Sequence, residues 1–221
     1  MNFSQWLGQL DFGWFAETAV ILLSSLLCIC IHETCHGLAA YALGDPTAKR
    51  SHRLSLNPLR HIDLFGLLAM AIFHFGWAKP VPVDPRYFRH PKGGMALTAL
   101  AGPVSNMLLS FFAILGWYGY LLAGGGAEGY TALFLQYTAL LSAGLAVFNL
   151  FPIPPLDGSK VLFALLPDRA YALLLRWERY GMILLLALLY FGVLDAPLEA
   201  LRSLLLDGLQ AAALGIFELF I

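Results

Sequence analysis

The stretch from His32 to His36, with the sequence HETCH, places two imidazoles and a carboxylate inside an apolar run that begins near Ala19. On an α-helix the two histidines are one turn apart and project from the same face, so they can share one tetrahedral metal ion. Glu33 can then reach a water on that metal without occupying a coordination position. This spacing predicts a metal-dependent hydrolytic site with Glu33 as the catalytic base. The simpler alternative, two histidines that cap a helix end or bond backbone carbonyls, leaves costly polar groups at membrane depth without a use.

The composition indicates an integral membrane protein. Hydrophobic residues make up 59% of the 221 residues and charged residues 12%, whereas a soluble domain carries about 25% charge. The net charge of −1 argues against a nucleic-acid partner. We expect an all-α polytopic membrane protein of four to five transmembrane helices, forming a single domain over residues 1–221. Its core would span about 17–166, and residues 171–221 would add accessory C-terminal helices.

Hydropathy and turn signals outline the helices. The first helix is predicted from about Glu17 to Leu43, because Gly44-Asp45-Pro46 is a strong stop signal. Apolar stretches predict further helices at about 94–122, 130–150 and 171–194. The last stretch, 198–221, mixes leucines with charged residues, so we expect it to lie in the membrane interface or to pack on a neighbouring helix.

An unusual segment is predicted between the first two spanning helices. The apolar patch 64–78 has 15 residues, fewer than the ~20 that a spanning helix needs. Basic residues flank the patch on both sides, which indicates the cytoplasmic face: Lys49, Arg50, Arg53, Arg60, Lys79, Arg86, Arg89 and Lys92. We therefore expect the patch to be re-entrant or interfacial. Its exit, 76–83, alternates valine with proline and is typical of an extended edge strand.

Two histidines need at least a third ligand, and the order of membrane crossings selects Asp157. If the patch does not span, the third spanning helix returns to the cytoplasmic side, where Asp157 meets the histidines. Asp157 could instead be the N-cap of a following helix or part of a turn. Glu178 and Glu199 are rival third ligands, although Glu178 is better explained as a member of an interfacial charge cluster.

Several motifs together resemble the site-2 protease family of intramembrane zinc metalloproteases, in its compact prokaryotic branch without PDZ or CBS domains. The matching stretches are HETCHG (32–37), NPLRHID (57–63), GWAKPVPV (76–83), GPVSN (102–106) and NLFPIPPLDG (149–158). The resemblance implies one zinc ion per chain, held by His32, His36 and Asp157. It also implies that Asn106 and Asn149 line the active site and help to hold the substrate or its oxyanion.

The function expected is hydrolysis of a peptide bond within or near the transmembrane segment of a membrane protein. We hypothesise that the substrate unwinds and pairs with the predicted edge strand, chiefly through Trp77, Ala78 and Lys79, around Val81. Expected partners are this transmembrane substrate, the lipid bilayer and a regulatory or adaptor membrane protein. The expected location is the prokaryotic plasma membrane, with the active site towards the cytoplasm. The alternatives are a zinc-binding carrier or scaffold, and a membrane protease whose third ligand is a downstream glutamate.

Overall fold

The computed structural model describes residues 12–61, 63 and 79–218, with only the backbone of Phe12 and of 172–176. Within these ranges the chain forms seven α-helices: α1 (Phe12–Ala42), α2 (Thr47–Arg50), α3 (Pro91–Leu122), α4 (Tyr130–Leu150), α5 (Asp157–Ala164), α6 (Asp168–Tyr190) and α7 (Asp195–Glu218). Two short 3-10 turns, Pro58–Arg60 and Pro85–Tyr87, lie between α2 and α3. The all-α prediction is confirmed for the part of the chain that the structure describes.

Four of these helices, α1, α3, α4 and α7, are long and apolar enough to cross a membrane, so the chain is a multi-pass membrane protein. The first three begin and end close to the predicted residues. In the C-terminal region, α7 packs against α3 and α4, which is one of the two predicted alternatives, and it is also long and apolar enough to span a membrane. Helix α6 falls outside the spanning set, since charged residues such as Arg179 interrupt its first half.

Hydroxyl side chains join α1, α3 and α4 through hydrogen bonds to backbone carbonyls of a neighbouring helix. Ser24 Oγ donates to Phe134 O at 3.3 Å, Ser110 Oγ to Ala139 O at 2.8 Å, and Ser142 Oγ to Asn106 O at 2.9 Å. All three serines are fully buried. Small residues of this kind let membrane helices approach closely. The resulting three-helix core positions His32 and His36 on α1.

The remaining helices pack around this core. On one side, Ala213 of α7 joins a buried cluster with Ala113, Ile114 and Ala139. On another, Leu185 of α6 and Leu194 pack with Leu156 against the segment that follows α4. The C-terminal helices thus support the segment that carries Asp157.

The proline-rich segment after α4 behaves as the sequence predicts. Helix α4 ends at Leu150, residues 151–156 are irregular, and α5 begins at Asp157. Proline lacks a backbone N–H and cannot continue a helix interior. The N-cap of α5 is Leu156, without a side-chain cap hydrogen bond. The carboxylate of Asp157 is therefore not used as the N-cap, and it faces the histidines instead.

Residues 79–84 form an irregular segment that precedes α3, and no β-strand occurs among the residues described here. The amide of Lys79 donates to His61 O at 2.8 Å, and that of Asp84 to Asp45 Oδ2 at 2.7 Å. Asp45 is fully buried and also accepts from the backbone N–H of Thr47. The segment is thus tied at both ends. The predicted re-entrant patch, 64–78, lies outside the described residues, as does the start of the predicted strand.

Candidate metal centre and catalytic site

The structure brings together the three side chains that the sequence predicts as ligands. Nε2 of His32 and Nε2 of His36 each lie 3.1 Å from Oδ2 of Asp157, and the two Nε2 atoms are 3.0 Å apart. All three side chains are buried, with exposed fractions of 5%, 9% and 7%. Among the residues that the structure describes, they are the group of His, Cys, Asp or Glu that could hold a metal ion.

The spacing of these three atoms fits zinc. Zinc binds imidazole nitrogen and carboxylate oxygen at about 2.0–2.2 Å in a tetrahedron, which separates neighbouring ligand atoms by about 3.3–3.6 Å. The observed 3.0–3.1 Å separations need only small outward movements. Two histidines and one carboxylate also leave a fourth position open, as catalytic zinc sites do.

The charge of Asp157 is stabilised by its neighbours. Burial alone disfavours the carboxylate, but hydrogen bonds with His32 and His36, together with nearby positive charge that includes Lys160, hold the pKa of Asp157 well below its ordinary value. Asp157 is therefore a carboxylate, which is the form that binds a metal.

Each imidazole also has a partner at its other ring nitrogen. Nδ1 of His36 donates to the carbonyl of Thr98 at 2.7 Å, which leaves Nε2 free as a ligand. Nδ1 of His32 lies 3.3 Å from Nδ2 of Asn106, whose Oδ1 is buried without a hydrogen-bond partner among the described residues. A metal-bound Nε2 requires a proton on Nδ1, and a 180° turn of the Asn106 amide presents Oδ1 as its acceptor. The orphaned oxygen thus fits a metal-bound His32.

Asn106 contacts the predicted ligand His32 and is not among the residues that line the cavity described below. Its side chain is fully buried against Nδ1 of His32. The geometry favours a role in orienting the ligand over direct contact with a substrate. Asn149 does line the cavity described below, and its Nδ2 donates to Leu145 O at 3.0 Å.

Gly102 provides the space for the two imidazoles. A Cβ atom at this position would lie 2.5 Å from Cε1 and Nε2 of His36 and 2.6 Å from Cε1 of His32. Real Cβ atoms do not approach other atoms so closely, and both rings are held on their other sides. The glycine of the GPVSN stretch is therefore a steric requirement of the histidine pair.

Glu33 accepts a hydrogen bond from the backbone N–H of Val81 through Oε2, at 3.0 Å. Both neighbours of Val81 are prolines, which have no N–H. The segment can come this close because Gly37, one turn after Glu33, has no side chain: a Cβ there would lie 3.2 Å from Cγ1 of Val81. Sequence reasoning missed this contact.

A cavity of about 310 Å³ lies beside the three predicted metal ligands. Its wall includes His32, Glu33, His36 and Asp157, with Pro80, Val81 and Val83 on one side and Asn149 and Lys160 on another. Lys160 was not predicted, although it follows Asp157 by three residues and so lies on the same face of α5. The predicted metal ligands and the predicted base thus line one cavity.

The other predicted residues fall elsewhere. Trp77 and Ala78 lie outside the described residues, and the amide of Lys79, predicted to pair with substrate, donates to His61 O. Glu199 forms an ion pair with Arg202 on α7. Neither Glu199 nor Glu178 belongs to the metal-competent group in the described part of the chain, so the geometry favours Asp157 over both rivals.

Comparisons with known proteins agree with this geometry. The family model described as "Peptidase family M50" matches residues 121–191. The chain is 36% identical over 173 residues to "Putative zinc metalloprotease YwhC" of Bacillus subtilis (strain 168), covering 76% of this chain and 78% of the relative. It is 27% identical over 195 residues to "Putative zinc metalloprotease Rip2" of Mycolicibacterium smegmatis, covering 80% and 68%. No solved structure gave a significant match.

Proposed function

Because the chain belongs to peptidase family M50, the site-2 protease family, and is a zinc metalloprotease, we propose that it cleaves other membrane proteins. The bond hydrolysed lies within or next to a transmembrane segment of the substrate. One observation carries this proposal. The buried cluster of His32, His36 and Asp157 shares a cavity with Glu33, among helices that are apolar enough to span a membrane.

The residues of the cavity have separate roles in peptide hydrolysis. His32, His36 and Asp157 would hold a single zinc ion per chain, which would supply a Lewis acid and lower the pKa of a bound water to about 7. Glu33 takes a proton from the attacking water and passes it to the leaving amine. Asn149 lies in the cavity wall, where it can contact the substrate backbone.

A transmembrane substrate must unwind before it can react, because each carbonyl in a helix is bonded to an amide four residues along. Residues 79–83 run beside the cavity, and pairing with this segment and with Trp77 and Ala78 before it would satisfy the freed backbone groups. Since the amides of Lys79 and Val81 already have partners in the chain, the substrate would displace these contacts or bond the carbonyls of the segment.

The charge distribution supports an orientation. Basic residues cluster in the connection between α1 and α3 and at the start of α3, and positively charged loops favour the cytoplasmic side of the membrane. We therefore propose a prokaryotic plasma-membrane protein with its active site towards the cytoplasm. Substrate choice would involve a regulatory or adaptor membrane protein.

The proposed function can be tested by comparing membranes that contain the wild-type protein with membranes that contain Glu33→Gln. Mass spectrometry of protein N-termini in the membrane fraction should find new termini inside or beside transmembrane segments only with the wild type. Zinc content of the two purified proteins should be equal, since Glu33 is not a ligand. Identical termini in both membranes, with zinc bound in both proteins, would instead identify a non-hydrolysing carrier or scaffold.

A further inference from the structure

Lys160 is the cationic side chain in the wall of the catalytic cavity, among the residues that the structure describes. It extends from α5, and its side chain is about one-third exposed, at 34%. Nζ lies 3.6 Å from Oδ1 of Asp157, whereas the other oxygen, Oδ2, faces the two imidazoles. The carboxylate of Asp157 therefore lies between the ammonium of Lys160 and the predicted metal position.

Peptide hydrolysis needs a positive or hydrogen-bonding group at the substrate carbonyl, because the attack of water places a negative charge on its oxygen. Asn106 is buried behind His32, and one amide hydrogen of Asn149 is used by Leu145 O. Lys160 has three N–H donors on a flexible stem. We propose that Lys160 is a further catalytic residue, whose ammonium donates a hydrogen bond to the substrate oxyanion. This inference rests on the proposed function.

The observed distance suits such a role. A separation of 3.6 Å is longer than the 2.7–3.2 Å of an N–H···O hydrogen bond, so the ammonium is attracted to Asp157 without a direct bond. It can turn towards a nearby oxyanion by rotation of its own side chain. In a partly enclosed cavity, a charge of this kind is screened less than it is in bulk water.

The reaction balances with Lys160 protonated throughout. The water oxygen bonds to the carbonyl carbon, the π electrons move to the carbonyl oxygen, and one water proton goes to Glu33. When the intermediate collapses, the carbonyl re-forms, the C–N bond breaks, and the nitrogen leaves with the proton from Glu33. Lys160 stabilises the charge that appears on the oxygen between these two steps.

A different role would produce different effects. If Lys160 only orients Asp157, its loss weakens the zinc site, because outer-shell partners typically contribute 10–100-fold to metal affinity. If Lys160 only attracts the substrate, its loss raises KM and leaves kcat unchanged. A group that acts on the oxyanion affects kcat and the binding of charged transition-state analogues.

The test uses the full-length zinc-loaded protein in proteoliposomes, with Lys160→Met, Lys160→Gln and Lys160→Arg. Lys92→Met is the matched control, since Lys92 lies outside the cavity and pairs with the exposed Asp168. The probes are the membrane substrate found in the N-terminus experiment and a phosphinic peptide, whose charged P–O oxygens mimic the oxyanion. Zinc per chain is measured for every variant.

We expect Lys160→Met to lower kcat by about 100- to 1,000-fold, as loss of an oxyanion donor does, and Lys160→Gln, which keeps a neutral N–H donor, to lower kcat less. KM and zinc content should stay within about twofold of the wild type, and the phosphinic peptide should bind at least tenfold more weakly. Lys160→Arg should retain most activity, and Lys92→Met all of it. Reduced zinc content, raised KM alone, or unchanged phosphinic-peptide binding would overturn the inference. A failure of the proposed function itself would be recognised separately, because the wild type and Glu33→Gln would then generate the same termini.

Discussion

The backbone amide of Val81 donates a hydrogen bond to Oε2 of Glu33, across 48 positions of sequence. This contact ties the predicted catalytic base to the irregular segment 79–84. The segment is itself fixed at Lys79 and Asp84 by hydrogen bonds to His61 and Asp45. The orientation of the Glu33 carboxylate therefore depends on residues far from the HETCH stretch.

Removing the Val81 amide should impair catalysis without removing the metal. Val81→Pro deletes the N–H, and a hydrogen bond to a charged group contributes about 1.5–3 kcal/mol, so we expect kcat to fall roughly tenfold or more. Val81→Ile keeps the amide and serves as the control. Turnover and zinc content of the purified proteins are the measurements. Equal turnover in Val81→Pro and Val81→Ile would show that this hydrogen bond has no catalytic importance.

The ligand set predicts which carboxylate the metal needs. Asp157→Ala should lower zinc affinity by more than about 100-fold, beyond the 10–100-fold range of an outer-shell partner. Glu178→Ala should bind zinc like the wild type. Metal content after dialysis against a chelator checks both. If Asp157→Ala keeps its zinc and Glu178→Ala loses it, Glu178 is the third ligand and Asp157 is not.

Asn106 should affect zinc binding through His32. Asn106→Leu removes the acceptor for the Nδ1 proton and should weaken zinc affinity about 10- to 100-fold, whereas Asn106→Asp keeps an acceptor and should bind zinc more tightly than Asn106→Leu. Ser110→Ala, which removes a buried hydrogen bond one turn further along α3, is the control. Competition with a fluorescent chelator gives the affinities. If Asn106→Asp and Asn106→Leu lower the zinc affinity equally, the hydrogen-bond acceptor at this position has no role in zinc binding.

Gly102→Ala should damage the histidine pair by steric overlap. The added methyl would meet both imidazoles at 2.5–2.6 Å, and overpacking of this kind destabilises by about 1–3 kcal/mol. Gly116→Ala in the same helix is the matched control, because a Cβ there lies 3.4 Å from the flexible end of Leu135. We expect Gly102→Ala to lose zinc and to unfold at a lower temperature in detergent. Normal zinc binding by Gly102→Ala would contradict the close approach.

The sequence predicts well what depends on local patterns. The HETCH spacing fixes the histidine pair on one helical face, and the prolines of 152–155 predict the break before Asp157. The meeting of Asp157 with the histidines follows from counting crossings, a topological argument that tolerates errors in helix boundaries. The ends of α1, α3 and α4 are also close to prediction, because long apolar runs and glycine or proline stops are strong signals.

Contacts between distant parts of the chain are not encoded in such patterns. Nothing local indicates that the amide of Val81 meets Glu33 or that Asn106 lies behind His32, since both contacts depend on how three helices pack. Lys160 could have been found from its i+3 spacing after Asp157, but only once Asp157 was taken as helical. For α7 the sequence left two alternatives open, because its scattered charges resemble those of an interfacial helix, and the packing on α3 and α4 that decides between them is a contact between distant parts of the chain.

The two halves of the metal site are 125 residues apart in the sequence. During synthesis the first helix is therefore made long before Asp157, and until then its two imidazoles lack the carboxylate that they contact in the folded protein. Zinc binding is therefore expected late in assembly, when it joins α1 to α5 through the three ligands. The hydrolytic centre therefore cannot be completed before Asp157 and the helices that precede it are in place.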